Sequence, residues 1–169
     1  MSWVDHYKDL IPDWAKDIRL NLDAVINRSS LDAVDAQAVA LAAAFATKNT
    51  ALTAAIRADF ADEPEHAAAL TAASLMGMNN VWYPYVEMAS DDDLKTQRPE
   101  LRMNAYATFG GVSREKFEMY ALAASIVGKC HFCIGSHYKL LKEHGITVTQ
   151  LRDIGRIAAV VSAVSQVTA

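Results

Sequence analysis

Glu118-Met119-Tyr120-Ala121-Leu122-Ala123-Ala124-Ser125-Ile126-Val127-Gly128-Lys129-Cys130-His131-Phe132-Cys133-Ile134-Gly135-Ser136-His137 carries the pattern that decides both fold and chemistry. The Ala-rich run reads as a buried helix, started near Ser113 with Glu115 and Lys116 and ended at Gly128. Lys129 and Cys130 then stand at the entrance of a second helix, expected to run through about His144 and stop at Gly145. Helical spacing places Cys130, Cys133 and His137 at i, i+3 and i+7, on one face. Antiparallel packing of the two helices brings Glu118 back beside that face, where it would orient His137 and raise its basicity.

Both cysteines of this 169-residue chain fall in the one Cys-x-x-Cys. Two cysteines placed at random would lie three apart only roughly 1% of the time, so the spacing is a signal. At a helix start, unpaired N–H groups and the positive dipole end favour a thiolate, and Lys129 adds a cation. A cysteine pKa is expected to fall from about 8.5 towards neutrality. His137, one turn beyond Cys133, is the better placed base for that sulfur. Taken singly, a His on an apolar helix face is more often a core residue, and a Glu in the first turns of a helix is usually exposed. The joint spacing Glu-x11-Cys-x2-Cys-x3-His argues for a site. Zinc is the competing reading, with Cys130, Cys133 and His137 as ligands and Glu118, His131 or His144 as a fourth. A closed structural site, however, usually takes two ligands from each of two segments, and the sequence holds no second Cys or His pair.

Composition sets the frame. Seven Gly, four Pro and abundant Ala favour an all-α fold, and the length suits a single domain spanning residues 1–169. A net charge of -4 without a basic cluster argues against a nucleic-acid partner. The N-terminal residues lack a signal-peptide pattern and no apolar run reaches membrane-spanning length, so a cytoplasmic protein is expected. In that compartment a lone Cys-x-x-Cys is a redox or metal site sooner than a structural disulfide.

A degenerate internal repeat is also visible. Val39-Ala40-Leu41-Ala42-Ala43 parallels Tyr120-Ala121-Leu122-Ala123-Ala124, and Lys48 falls on Lys129 at the same offset. Arg19-Leu20-Asn21 parallels Arg102-Met103-Asn104 with the offset changed by two. Gln37, Asn49, Leu52 and Ile56 thereby stand in for Glu118, Cys130, Cys133 and His137. The chain divides into a scaffold half, about 1–90, and a catalytic half, about 99–169. Ala-rich composition alone can also produce such likeness. Further helices are expected over Pro12 to Val25, Ser30 to Thr47, about 49 to 60, about 63 to 78 and Pro99 to Ala107. The acidic run Ser90-Asp91-Asp92-Asp93 marks the loop between halves and reads as a solvated helix start rather than a metal site. Met76, Met78, Trp82, Tyr83 and Tyr85 read as core or subunit interface, and Asn79 and Asn80 as buried hydrogen-bonding residues that fix helix ends.

With these motifs in place, the chain resembles the alkylhydroperoxidase D (AhpD) family, within the carboxymuconolactone decarboxylase superfamily. Glu118, Cys130, Cys133, His137, Met78 to Tyr83, Leu101 to Asn104, the Ala-rich helix after Ser30 and the ending Ala158 to Gln166 carry the resemblance. It implies an AhpD-like helical bundle, commonly a homotrimer, and an antioxidant, lipoyl-dependent peroxidase for alkyl hydroperoxides. By the same resemblance Cys133 is peroxidatic and forms a sulfenic acid. Cys130 resolves it as a disulfide and stays nearer solvent for exchange, and His137 and Glu118 relay the proton. Dihydrolipoamide or a lipoylated protein is the implied reductant, with a lipoylated acyltransferase component and a peroxiredoxin of the AhpC type as partners; no bound cofactor or metal is implied. The family often has His at the second residue inside the motif, where this chain has Phe132. His131, one position earlier, is rotated by about 100° and is not assumed to do the same work. Phe132 is expected to bury itself against the scaffold, with His131 and Lys129 as possible auxiliaries. A disulfide reductase or electron carrier with little peroxidase activity is the alternative, and a zinc-stabilised interaction module a weaker one.

Overall fold

A computed structural model describes residues 1–60 and 64–169, and every regular element among them is helical. In chain order these are α1 (Trp3–Leu10), α2 (Lys16–Asn27), α3 (Ala33–Ala46), α4 (Thr50–Asp59), α5 (Pro64–Ala89), α6 (Asp92–Thr96), α7 (Arg114–Gly128), α8 (His131–Glu143) and α9 (Val148–Val167). Short 3-10 segments cover Asp13–Ala15 and Asn104–Gly111. None of the described helices is long and apolar enough to cross a membrane.

At the centre lie α3 and α7, packed on each other and each against both α5 and α9. Ala38 to Ala44 and Phe117 to Ser125 are buried almost without interruption, so neither helix keeps a polar stripe. Small Ala side chains let such all-round apolar helices approach closely from several sides. One apolar core joins the two halves of the chain. Polar pins cross it. Lys116 Nζ lies 3.1 Å from Asp35 and 2.8 Å from Glu65, and Tyr120 Oη donates to Asp35 at 3.0 Å. On the opposite side, the nearly buried Asp153 accepts the Ser30 N–H at 2.8 Å and pairs with Arg152 and Arg156.

The internal repeat is realised in three dimensions. The run α3-α4-α5 corresponds to α7-α8-α9, and the packing is exchanged with it: α2 lies on α9 as the segment Asn104–Gly111 lies on α5. Outside the repeat, α1 was not expected. Its Trp3, Val4 and Tyr7 form a buried stripe, Ser2 caps its first turn, and Trp3 Nε1 donates to Gln37 Oε1 at 2.6 Å.

Several boundaries differ from expectation. Pro12 opens a 3-10 turn, and α2 starts only at Lys16. The helix expected over about 63 to 78 extends to Ala89, its start at 63 lying outside the described residues. Pro84 inside it removes only the hydrogen bond to the Asn80 carbonyl, and the packing of α5 against α3 and α7 carries the helix past that loss. The Pro99 to Ala107 helix does not form. Met103, Tyr106 and Phe109 recur every third residue, the period of the 3-10 turn that packs them, partly buried, against the core. The acidic run does start a helix: Asp91 accepts the Asp93 N–H at 2.9 Å and opens α6.

Candidate active site

The site begins at the junction of α7 and α8. Ser113 Oγ caps α7 on the Lys116 N–H at 3.2 Å, and at the other end Lys129 takes the left-handed conformation, φ 54°. The Cys130 N–H then reaches the Ser125 carbonyl at 3.3 Å. Gly128 ends α7 for a reason other than left-handed backbone. A Cβ there would lie 2.2 Å from Asn80 Nδ2, which donates to the Ala124 carbonyl at 3.1 Å. Absence of a side chain at 128 thus lets α5 seat its amide under the junction.

Cys130 is the N-cap of α8, its Sγ accepting the Cys133 N–H at 3.3 Å. The helix start therefore acts most directly on the Cys130 sulfur. The two cysteines form a disulfide with Cα atoms 5.3 Å apart, and the Asn79 carbonyl lies 3.8 Å from one sulfur and 3.7 Å from the other. Cys130 was expected nearer solvent; the structure buries both cysteines, with Cys130 0% and Cys133 2% exposed. Capping the helix tucks Cys130 beneath the end of α7. Cys133 instead lines a cavity of about 150 Å³ together with Asn79, Tyr83, Tyr106, Phe132, Ser136 and His137.

Beside Cys133 the expected Glu118 and His137 meet. His137 Nδ1 donates to Glu118 Oε2 at 2.5 Å, and both residues are buried. Burial pushes the Glu118 carboxyl up, but hydrogen bonds from His137 and Tyr106 outweigh it and hold the group below its ordinary 4.5. As an acceptor-only carboxylate, Glu118 fixes the proton on Nδ1, so neutral His137 carries its lone pair on Nε2. That nitrogen lies 3.2 Å from Met76 Sδ, to which a protonated His137 donates.

Three site residues escaped sequence reasoning as such. Tyr106 Oη donates to Glu118 Oε1, and burial together with that bond keeps the phenol protonated well above its usual range. Met76, expected only as packing, contacts the His137 ring, and Tyr83 lines the cavity. The three-residue spacing of Met103, Tyr106 and Phe109 was the available signal for Tyr106. The possible auxiliaries stand apart: His131 is exposed with Nδ1 3.1 Å from Glu87, and Lys129 is exposed beyond the junction. Phe132 is not buried, as had been expected, but 57% exposed, stacked on Tyr83 with ring centroids 4.2 Å apart. His144 Nδ1 donates to the Leu140 carbonyl at 2.8 Å. Among the described residues no group of three or more His, Cys, Asp or Glu is placed to hold a metal ion.

The chemistry this geometry allows is thiol and disulfide exchange at Cys133 with a carboxylate-oriented imidazole at hand, and similarity points the same way. Residues 92–169 match the model of the carboxymuconolactone decarboxylase family. A protein named alkyl hydroperoxide reductase AhpD from Bradyrhizobium sp. strain BTAi1 is 39% identical over 165 residues, covering 96% of this chain and 91% of the relative. Its namesake from Rhodospirillum centenum is 40% identical over 168 residues, 97% and 89% of the two chains. The one from Maricaulis maris is 38% identical over 170 residues, 98% and 97% of the two chains. Identity at this level, sustained over nearly the whole of both partners, means that the chain belongs to the alkyl hydroperoxide reductase AhpD family, within the carboxymuconolactone decarboxylase superfamily.

Proposed function

We propose that this protein is an antioxidant thiol peroxidase that reduces alkyl hydroperoxides at Cys133. The observation that carries the proposal is the buried Glu118–His137 pair, whose imidazole lines one cavity with Cys133. In the dithiol form, His137 Nε2 takes the Cys133 proton, and Glu118 stabilises the resulting imidazolium. The thiolate attacks the terminal oxygen of the hydroperoxide. The O–O bond breaks, Cys133 becomes a sulfenic acid, and the alkoxide takes the proton from His137 to leave as alcohol. Cys130 then displaces water from the sulfenic acid, giving the disulfide. A dithiol such as dihydrolipoamide, free or on a lipoylated acyltransferase component, returns two electrons and two protons. The sum is hydroperoxide plus dithiol to alcohol, water and the reductant's disulfide.

The same exchange chemistry supports electron delivery to a peroxiredoxin of the AhpC type. Cytoplasmic action and a homotrimer complete the proposal. Val81, Tyr85 and Met88, exposed at i, i+4 and i+7 of α5, give an apolar stripe suited to self-association.

The test is consumption of an organic hydroperoxide with dihydrolipoamide as donor, for wild type, Cys133→Ser and His137→Phe. Turnover in wild type and its loss in both variants is the expected result. A disulfide that dihydrolipoamide reduces without any peroxide turnover would replace the peroxidase by an electron carrier.

A further inference from the structure

Glu118 is shared by two donors from different parts of the chain. His137 reaches Oε2 from α8, and Tyr106 reaches Oε1 from the 3-10 segment Asn104–Gly111, the joining segment that leads into α7. The Tyr106 ring also lines the cavity that holds Cys133, so hydroxyl and ring serve the same space. We propose that Tyr106 is a positioning residue of the proton relay: its hydroxyl fixes the Glu118 carboxylate so that Oε2 faces His137 Nδ1, while its ring walls the cavity. The role rests on the relay proposed above.

The geometry is held from behind. Tyr106 stacks edge-on against Phe117 with centroids 5.1 Å apart, and more loosely against Phe109. The following turn carries Gly110 at φ +60°, where a Cβ would meet the Ala68 backbone at 2.9 Å. This close seating on α5 pins the segment and with it the hydroxyl. A buried carboxylate that kept only the His137 bond would be free to rotate about its last torsion, which is broad for Glu. It would also lose a donor that favours its ionised form. Around Glu118 the charged and titratable groups are His137 from α8, Tyr106 from the joining segment and, on α7 itself, the more distant Arg114.

Tyr106→Phe removes the hydroxyl and keeps the ring. In the dithiol protein the ¹³C carboxyl resonance of Glu118, assigned by its loss in Glu118→Gln, reports the contact whether or not peroxide is turned over. The midpoint of its titration is expected to rise by about one pH unit in Tyr106→Phe, and the acid limb of the turnover profile to rise with it. Phe109→Leu, which alters packing but leaves the hydroxyl, should not move the midpoint. Should Tyr106→Phe not fold, 3-fluorotyrosine at 106 changes the donor strength in an intact ring, and the Glu118 resonance must shift at pH 6. An unmoved Glu118 titration or resonance in these experiments overturns the assignment. So does a fall in turnover that is equal at every pH, the mark of a merely structural residue. A protein without peroxide turnover but with the Glu118 shift would refute the peroxidase and leave the Tyr106 contact standing.

Discussion

Two helix junctions of this molecule, α3 to α4 and α7 to α8, are built alike and carry different side chains. Lys48 and Lys129 both turn the chain with positive φ, 66° and 54°. The next residue caps the following helix in each case: Asn49 Oδ1 accepts the Leu52 N–H at 3.0 Å, and Cys130 Sγ accepts the Cys133 N–H at 3.3 Å. One turn further stand Ile56, fully buried, and His137, buried with its Nδ1 on Glu118. Gln37 and Glu118 occupy matching places on the preceding helices. The backbone device is therefore independent of the proposed chemistry, which rests on four side chains present in one copy. The exchange puts a sulfur acceptor where the scaffold copy has an amide oxygen, and a buried, hydrogen-bonded His–Glu pair where it has Ile56 and Gln37.

The comparison breaks most visibly at the fourth position. His137→Phe is expected to lower peroxide turnover by about a hundredfold and, by leaving the buried Glu118 carboxyl with the Tyr106 bond alone, to lower stability in denaturant by about 1–3 kcal/mol. Ile56→Ala, its counterpart, should leave the chemistry in place and lower stability by about 2–5 kcal/mol. If both variants changed only stability, the two halves would be structural equivalents.

Acid separates the halves next. The Glu118 carboxyl is held below its ordinary 4.5, so its contribution to stability is present above that pH and lost as pH falls through the folded value. Melting temperature should drop on acidification, and Glu118→Gln should flatten part of the drop. The remainder belongs largely to Asp153. Burial raises its carboxyl, but the Ser30 N–H and Arg156 and Arg152 reverse this and hold it far below the usual range. Gln37→Glu should add a new acid-sensitive component in the scaffold half, and an unchanged pH profile would show that the matching place is solvated.

Smallest is the cap itself. Asn49→Ala is expected to cost about 1 kcal/mol, measured by urea unfolding. Cys130→Asn, which copies the scaffold cap into the catalytic half, should leave stability within about 1 kcal/mol of the dithiol protein and abolish the disulfide.

Much of this contrast could be read from the residues. The offset pairing Lys48 with Lys129 fixed which residues correspond, and the Glu118, Cys133 and His137 spacing placed the pair beside the sulfur, because helical periodicity is local and the antiparallel return is short. What escaped depended on tertiary contact. Tyr106 reaches Glu118 across a segment whose Pro99 suggested a helix, and only burial against α5 selects the tighter turn. The run of α5 through Pro84 defied the breaker rule, since packing on two helices outweighs one missing hydrogen bond. The burial of Cys130 was equally illegible, as it follows from capping geometry and not from the motif.

Trp3 has a bearing on redesign. Its indole N–H is bound to Gln37 and its backbone N–H to Asp59 Oδ2 at 2.5 Å, with the side chain only 2% exposed. The counterpart of the reactive centre is thus already stoppered by the first helix. Anyone wishing to write a second Cys-x-x-Cys into the scaffold half would have to unfasten that stopper as well as exchange the four side chains.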